Sequence, residues 1–169
     1  MITGGEMINP QQLSEAFARN LGILKMQTQG LSHEDSLLQP AVRGNCLNWV
    51  LGHIAANRNR VLAVLGEEPA IQPSEVARYE TDSEPITCDQ PGVLKMENLL
   101  AAVERAQQII AGKLQVISTE ELAGQVRVGE HILTVRERLF GLYFHETYHT
   151  GQTEQLRQLA GANDKVVYG

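Results

Sequence analysis

A chain of 169 residues, 43% hydrophobic and 20% charged, has the length and composition of a single globular domain (1–169) that can bury its own core. Its formal charge of −6, with no Lys/Arg cluster among aromatics, offers nothing to phosphate backbones or anionic lipid, so nucleic acid is not expected as a partner. No run reaches the roughly 18 uninterrupted apolar residues of a membrane span, Met1 to Met7 lacks leader character, and Cys46 and Cys88 form no CxxC pair, so a reduced, cytoplasmic protein is expected.

Residues 1–8 read as a flexible tail. Asn9-Pro10 is a helix start, because Asn caps free amides and Pro at the first helical position loses no hydrogen bond. Leu13, Phe17, Leu21 and Leu24 then fall on one face, and Gly30 ends a first helix over about 10–29. Residues 31–44 form a connector. A second helix is expected from an Asn45 cap to about Leu65, with Leu47, Val50, Leu51, Ile54, Val61 and Leu62 at helical spacing and Gly66 as its stop.

Residues 66–92 carry four prolines and few periodic apolar residues. A connection of that length in a small domain implies a task, such as covering a site. The third helix, about 93–117, repeats Met96, Leu99, Val103, Ala106, Ile110 and Leu114. A second connector, 118–133, holds a helical turn at Thr119-Glu120-Glu121-Leu122. Thr134 and Glu137 make a capping box that opens a fourth helix running to about Ala160 and stopping at Gly161. Four long helices and no alternating strand pattern predict an all-α four-helix bundle with long connectors after helices two and three.

The chemistry lies on the fourth helix. Its apolar stripe, Val135, Leu139, Leu142, Leu156 and Leu159, is interrupted by His145 and His149. Four residues apart, their Cβ atoms stack about 5–6 Å from each other, so both imidazoles can reach one ion. Such a pair is also compatible with ordinary hydrogen-bonded core histidines. His53, in the middle of the second helix, tips the balance: three nitrogens from two helices with a fourth position open is the pattern of a catalytic zinc site. Imidazole donors suit zinc, nickel, iron or copper, and zinc or nickel is expected here.

His145-Glu-Thr-Tyr-His149 also fits the HExxH pattern of zinc proteases, in which the Glu activates a metal-bound water. No His follows His149 to complete that ligand set, and no strands are predicted to flank a peptide cleft. Glu146 therefore reads as a surface or interhelix residue, with support of the ligands as its alternative role. Asn57 and Gln152, one turn beyond His53 and His149, read as interhelix partners that can also face a substrate or orient a ligand. Tyr148 reads as core, with a hydroxyl near the ion as the functional alternative. Cys46 reads as a buried thiol, Trp49 as core, and His33 and His131 as solvent histidines.

With these residues in hand, the chain resembles the DinB-like (DinB/YfiT-type) four-helix bundles. The resemblance rests on Asn48-Trp49-Val-Leu-Gly-His53-Ile in helix two and on His145-Glu-Thr-Tyr-His149-Thr-Gly-Gln152, then Leu156-Arg157 and Gly161, in helix four. It implies an up-down-down-up bundle with its metal triad at His53, His145 and His149, often assembled as a homodimer. It also implies a metal-dependent enzyme with a small-molecule substrate, such as a transferase using a low-molecular-weight thiol. A metal-dependent hydrolase and a non-catalytic stress-response binding bundle are the alternatives.

Overall fold

The first helix, α1 (Pro10–Thr28), starts as its sequence demands. The Asn9 carboxamide accepts from the Gln12 N–H at 2.8 Å while the Gln12 side chain accepts from the Asn9 N–H at 3.2 Å. The computed structural model describes residues 9–167, so the tail expected at 1–8 lies outside the described residues. After α1 come a one-turn α2 (His33–Ser36), α3 (Leu47–Val64), a short α4 (Pro73–Val76) that runs into a 3-10 turn at Ala77–Tyr79, and α5 (Met96–Val116). A short α6 (Thr119–Ala123) and a hairpin of β1 (Gln125–Val128) and β2 (His131–Thr134) lead into α7 (Val135–Leu159).

The four long helices α1, α3, α5 and α7 form a ring in which α1 packs on α5 and α7, and α3 packs on the same two. Their directions follow from contacts at matched levels. Asn20 meets Glu146 and Arg157 meets the Gln27 carbonyl, so α1 and α7 run parallel. Asn48 bonds the Leu94 carbonyl just before α5 and Arg58 bonds Gln107, so α3 and α5 run parallel as well. Asn57 reaches the Leu142 carbonyl while His53 faces His145, which makes α3 antiparallel to α7. The bundle is therefore up-down-down-up, as the resemblance implied.

Two corrections concern local structure. The second long helix begins at Leu47 with Cys46 as its N-cap and no side-chain cap bond, rather than at an Asn45 cap. Here tertiary packing outweighs local capping, since Cys46 is fully buried and its thiol donates to the Ile86 carbonyl at 3.4 Å. The second connector, expected to be strandless, contains the β1–β2 hairpin, paired Gln125↔Thr134 to Val128↔His131. Gly129 supplies the positive φ (+58°) needed at the first residue of its two-residue turn. The helical turn expected at 119–122 is α6, and the capping box at Thr134 and Glu137 opens α7 as read.

The long connector between α3 and α5 buries Ile71, Val76, Tyr79 and Ile86 against α3, which is why α3 is covered along nearly its whole length. Gly52 makes this possible. A Cβ there would sit 2.1 Å from the Tyr79 ring, so only glycine lets the connector lie this close. The Tyr79 hydroxyl then accepts from the Leu94 N–H at 2.7 Å and donates to Asn48 Oδ1 at 3.2 Å, tying the middle and the far end of the connector to α3. Among the described residues no helix is long and apolar enough to cross a membrane.

A candidate metal centre of three histidines

His53 arrives on α3, and His145 and His149 on the antiparallel α7, one turn apart. Each offers a ring nitrogen, and the three nitrogens lie within 4.8 Å of one another. His53 Nε2 and His145 Nε2 are 3.4 Å apart. Two imidazole nitrogens on one tetrahedral ion, each about 2.0–2.1 Å from it, stand about 3.3 Å apart. The observed spacing is therefore that of a shared ligand sphere.

The hydrogen bonds fix the tautomers that such a site needs. His53 Nδ1 lies 2.7 Å from the Tyr79 carbonyl, which can only accept, so Nδ1 carries the proton and Nε2 keeps its lone pair. His149 Nδ1 lies 2.9 Å from Gln152 Oε1 and is held in the same way. His145 has no such anchor, and its Nδ1 is buried without a partner. Without an ion, two lone pairs confront each other across the 3.4 Å gap or one ring gives up its outward tautomer. A cation satisfies all three donors together. Among the described residues, these three histidines are the group of His, Cys, Asp and Glu side chains gathered closely enough to share an ion.

Burial lowers the pKa of all three rings. His145 is pushed down to about 4, by burial first and then by neighbouring His149 and His53. Neutral imidazoles at neutral pH are the form that ligates a metal. Trp49 backs the site, stacked on His53 with centroids 4.7 Å apart at 11°, and its indole N–H is anchored on Ser83 Oγ at 2.9 Å. Two cavities flank the triad. One, of about 660 Å³, runs past His149, Trp49, Tyr148 and Gln152 to the loop at Pro40–Asn45; the other, of about 390 Å³, runs past His145, Asn57, Arg60 and Arg138.

The remaining candidates sort clearly. Gln152 orients His149, and Asn57 donates to the Leu142 carbonyl at 3.1 Å, an interhelix bond as expected. Cys46 is a buried thiol and Trp49 is core. Tyr148 is not core: it stands 63% exposed, its ring edge-on to His149 at 5.2 Å. His33 is not a solvent residue but buried, its Nδ1 accepting from the Met96 N–H at 3.3 Å, because the short α2 tucks it beneath the start of α5. His131 lies exposed on the hairpin.

Glu146 is fully buried and belongs to a different network. Its carboxylate takes Arg58 Nε at 2.6 Å, Arg58 Nη2 at 2.8 Å and Asn20 Nδ2 at 3.2 Å. It is an interhelix residue, not a surface one, and it is turned away from the histidines. That leaves the HExxH reading without its base. Arg58, Gln107 and Asn20 were absent from the sequence reading, although each interrupts an apolar face at core spacing, which is the signal that marks them.

Residues 12–161 match a family model described as mycothiol-S-transferase. No match appears among curated proteins. A crystal structure of a conserved protein from Enterococcus faecalis is similar to this chain with a TM-score of 0.72 at 17% identity, over 94% of this chain and 100% of that one. At that identity the likeness concerns the fold.

Proposed function

The chain belongs to the mycothiol-S-transferase family, a DinB-like family, and from that premise we propose that it is a metal-dependent enzyme joining a low-molecular-weight thiol to a small electrophile. The observation that carries the proposal is the convergence of His53, His145 and His149, two of them oriented by bonds from their outer nitrogens. Their donor set fits zinc or nickel. A divalent ion there would supply Lewis acidity at an open position, lowering the pKa of a bound thiol toward neutrality.

The chain's own residues supply position and shielding. The Tyr79 carbonyl and Gln152 fix the rings of His53 and His149, Trp49 closes the back of His53 to water, and the cavity beside His149 admits the thiol, mycothiol by the family's description. In the transfer the thiol proton goes to solvent and the sulfur lone pair forms the new S–C bond. The displaced group leaves carbon with the electron pair of the bond that breaks. Hydrolysis is the weaker reading, because Glu146 is held by Arg58 and Asn20 and cannot draw a proton from water at the triad. We extend the proposal to a homodimer in which exposed Phe144 and Tyr148, one turn apart on α7, meet a second copy; sedimentation tests this.

Elemental analysis of the wild type beside His149→Ala is the first test, with one ion per chain expected in the former and loss in the latter. Equal metal in both proteins sinks the triad. Cobalt substitution followed by mycothiol then tests the chemistry. A thiol-induced spectral change, with release of chloride from an aryl chloride, supports the transferase, and neither response leaves a non-catalytic metal-binding bundle.

A further inference from the structure

The cavity beside His145 has a character of its own. On α7, Arg138, Gly141, Leu142 and His145 follow at spacings of three and four, so they line one face. On the antiparallel α3, Asn57 and Arg60 lie one and two turns beyond His53 and complete the wall, with Thr81 of the long connector at its rim. The end of the cavity away from the triad thus carries two guanidinium groups.

Their partners differ. Arg60 pairs with Glu80 across a short hydrogen bond. Arg138 is half-buried and makes no ion pair or hydrogen bond among the described residues. The carboxylate nearest in sequence, Glu137, is engaged in the cap at Thr134. Burial and the neighbouring Arg60 charge press the Arg138 pKa down, so its cationic form sits in an unfavourable environment that a bound anion would relieve. Asn57 lines the same space as a neutral wall, its Nδ2 committed to the Leu142 carbonyl. Gly141 adds no bulk, since a Cβ there would meet nothing within 4 Å. A planar cation without a counter-ion and open volume beside a ligand histidine describe a seat for a small polar anion, and guanidinium geometry favours a carboxylate.

We infer that the electrophile carries a carboxylate, held by Arg138 with Arg60 beside it, while its reacting carbon lies toward His145. This rests on the transferase reading for the word electrophile, but not for the anion site itself. The second cavity, with the amides of Asn45, Gln152 and Gln155 around Trp49 and Tyr148 and a single arginine on the exposed loop, is left to the thiol.

The test is titration of the purified protein with succinate and with its neutral diamide, followed by calorimetry and by emission of Trp49, the sole tryptophan, which stacks on His53. Succinate should bind and the diamide should not. Arg138→Gln should weaken succinate at least tenfold and Arg60→Gln by less, because Glu80 already shares that charge. Arg127→Gln, on the exposed hairpin, should change nothing. Removing Arg138 orphans no partner, so the variant should fold, and circular dichroism checks this. Succinate binding should persist in metal-poor His149→Ala. Binding that vanishes with the metal, equal binding of the diamide, or an unchanged Arg138→Gln each overturn the inference. Arg138-dependent binding in a protein that transfers no thiol supports the anion site and removes the transferase reading alone.

Discussion

Glu146→Gln separates structure from catalysis at a residue where sequence pattern suggests both. The Glu146 and Arg58 side chains are 0% exposed, and Arg58 also donates to Gln107 Oε1 at 2.6 Å and to the Phe17 carbonyl at 2.8 Å. The substitution keeps the shape but removes the charge, and turns an amide N–H toward one of the two Arg58 donors now bonded at 2.6 and 2.8 Å. Removing one partner of a buried pair costs about 3–5 kcal/mol, because the remaining charge stays buried. That is a large share of a typical stability of about 5–15 kcal/mol. For a chain of this size it corresponds to a melting temperature lower by roughly 6–20 °C. Urea unfolding followed by circular dichroism, with metal content measured on the same samples, should show lower stability and unchanged metal. Arg58→Met with Glu146→Gln should cost less than the sum of the single changes. A loss under about 1 kcal/mol, or loss of activity at full stability, would refute the assignment and return Glu146 to the reacting centre.

Gly52→Ala should destabilise the fold by about 1–3 kcal/mol as the new methyl displaces Tyr79, and limited proteolysis should then cut within residues 71–94. Gln152→Leu should lower metal affinity about 10- to 100-fold by freeing the His149 ring, measured by competition with a chromophoric chelator; unchanged affinity would show the bond to be incidental. Alkylation at neutral pH should label exposed Cys88 and spare Cys46, whose thiol burial keeps protonated; mass spectrometry of the digest distinguishes the two sites.

The four long helices were legible because Leu13-Phe17-Leu21-Leu24 and its counterparts carry a period that depends on the local chain alone. The same holds for the caps at Asn9 and Thr134, which involve residues three apart. The hairpin was not, since each strand has only four residues: Gln-Val-Arg-Val alternates but is too short to stand out, and His-Ile-Leu-Thr does not alternate. His145 and His149 were visible as polar intrusions in an apolar stripe, and His53 by its place in a second one. What the sequence hid were contacts across the bundle. The burial of His33, the Arg58–Glu146 pair and the exposure of Tyr148 depend on which helix faces which, and no local pattern encodes that ring order. Arg138 was hidden for another reason: an arginine in the first turns of an amphipathic helix looks like any solvated charge until Arg60 is placed opposite.

The bond that orients His53 has a consequence for reading relatives of this chain. Its acceptor is a main-chain carbonyl, at Tyr79, which every amino acid possesses. An alignment column at that position can drift without recording whether the bond survives. The record is kept instead at Gly52, where any side chain would push the connector outward and take the carbonyl with it. In a relative with all three histidines but a larger residue at the position of Gly52, the rings would be inherited without the contact that aims one of them.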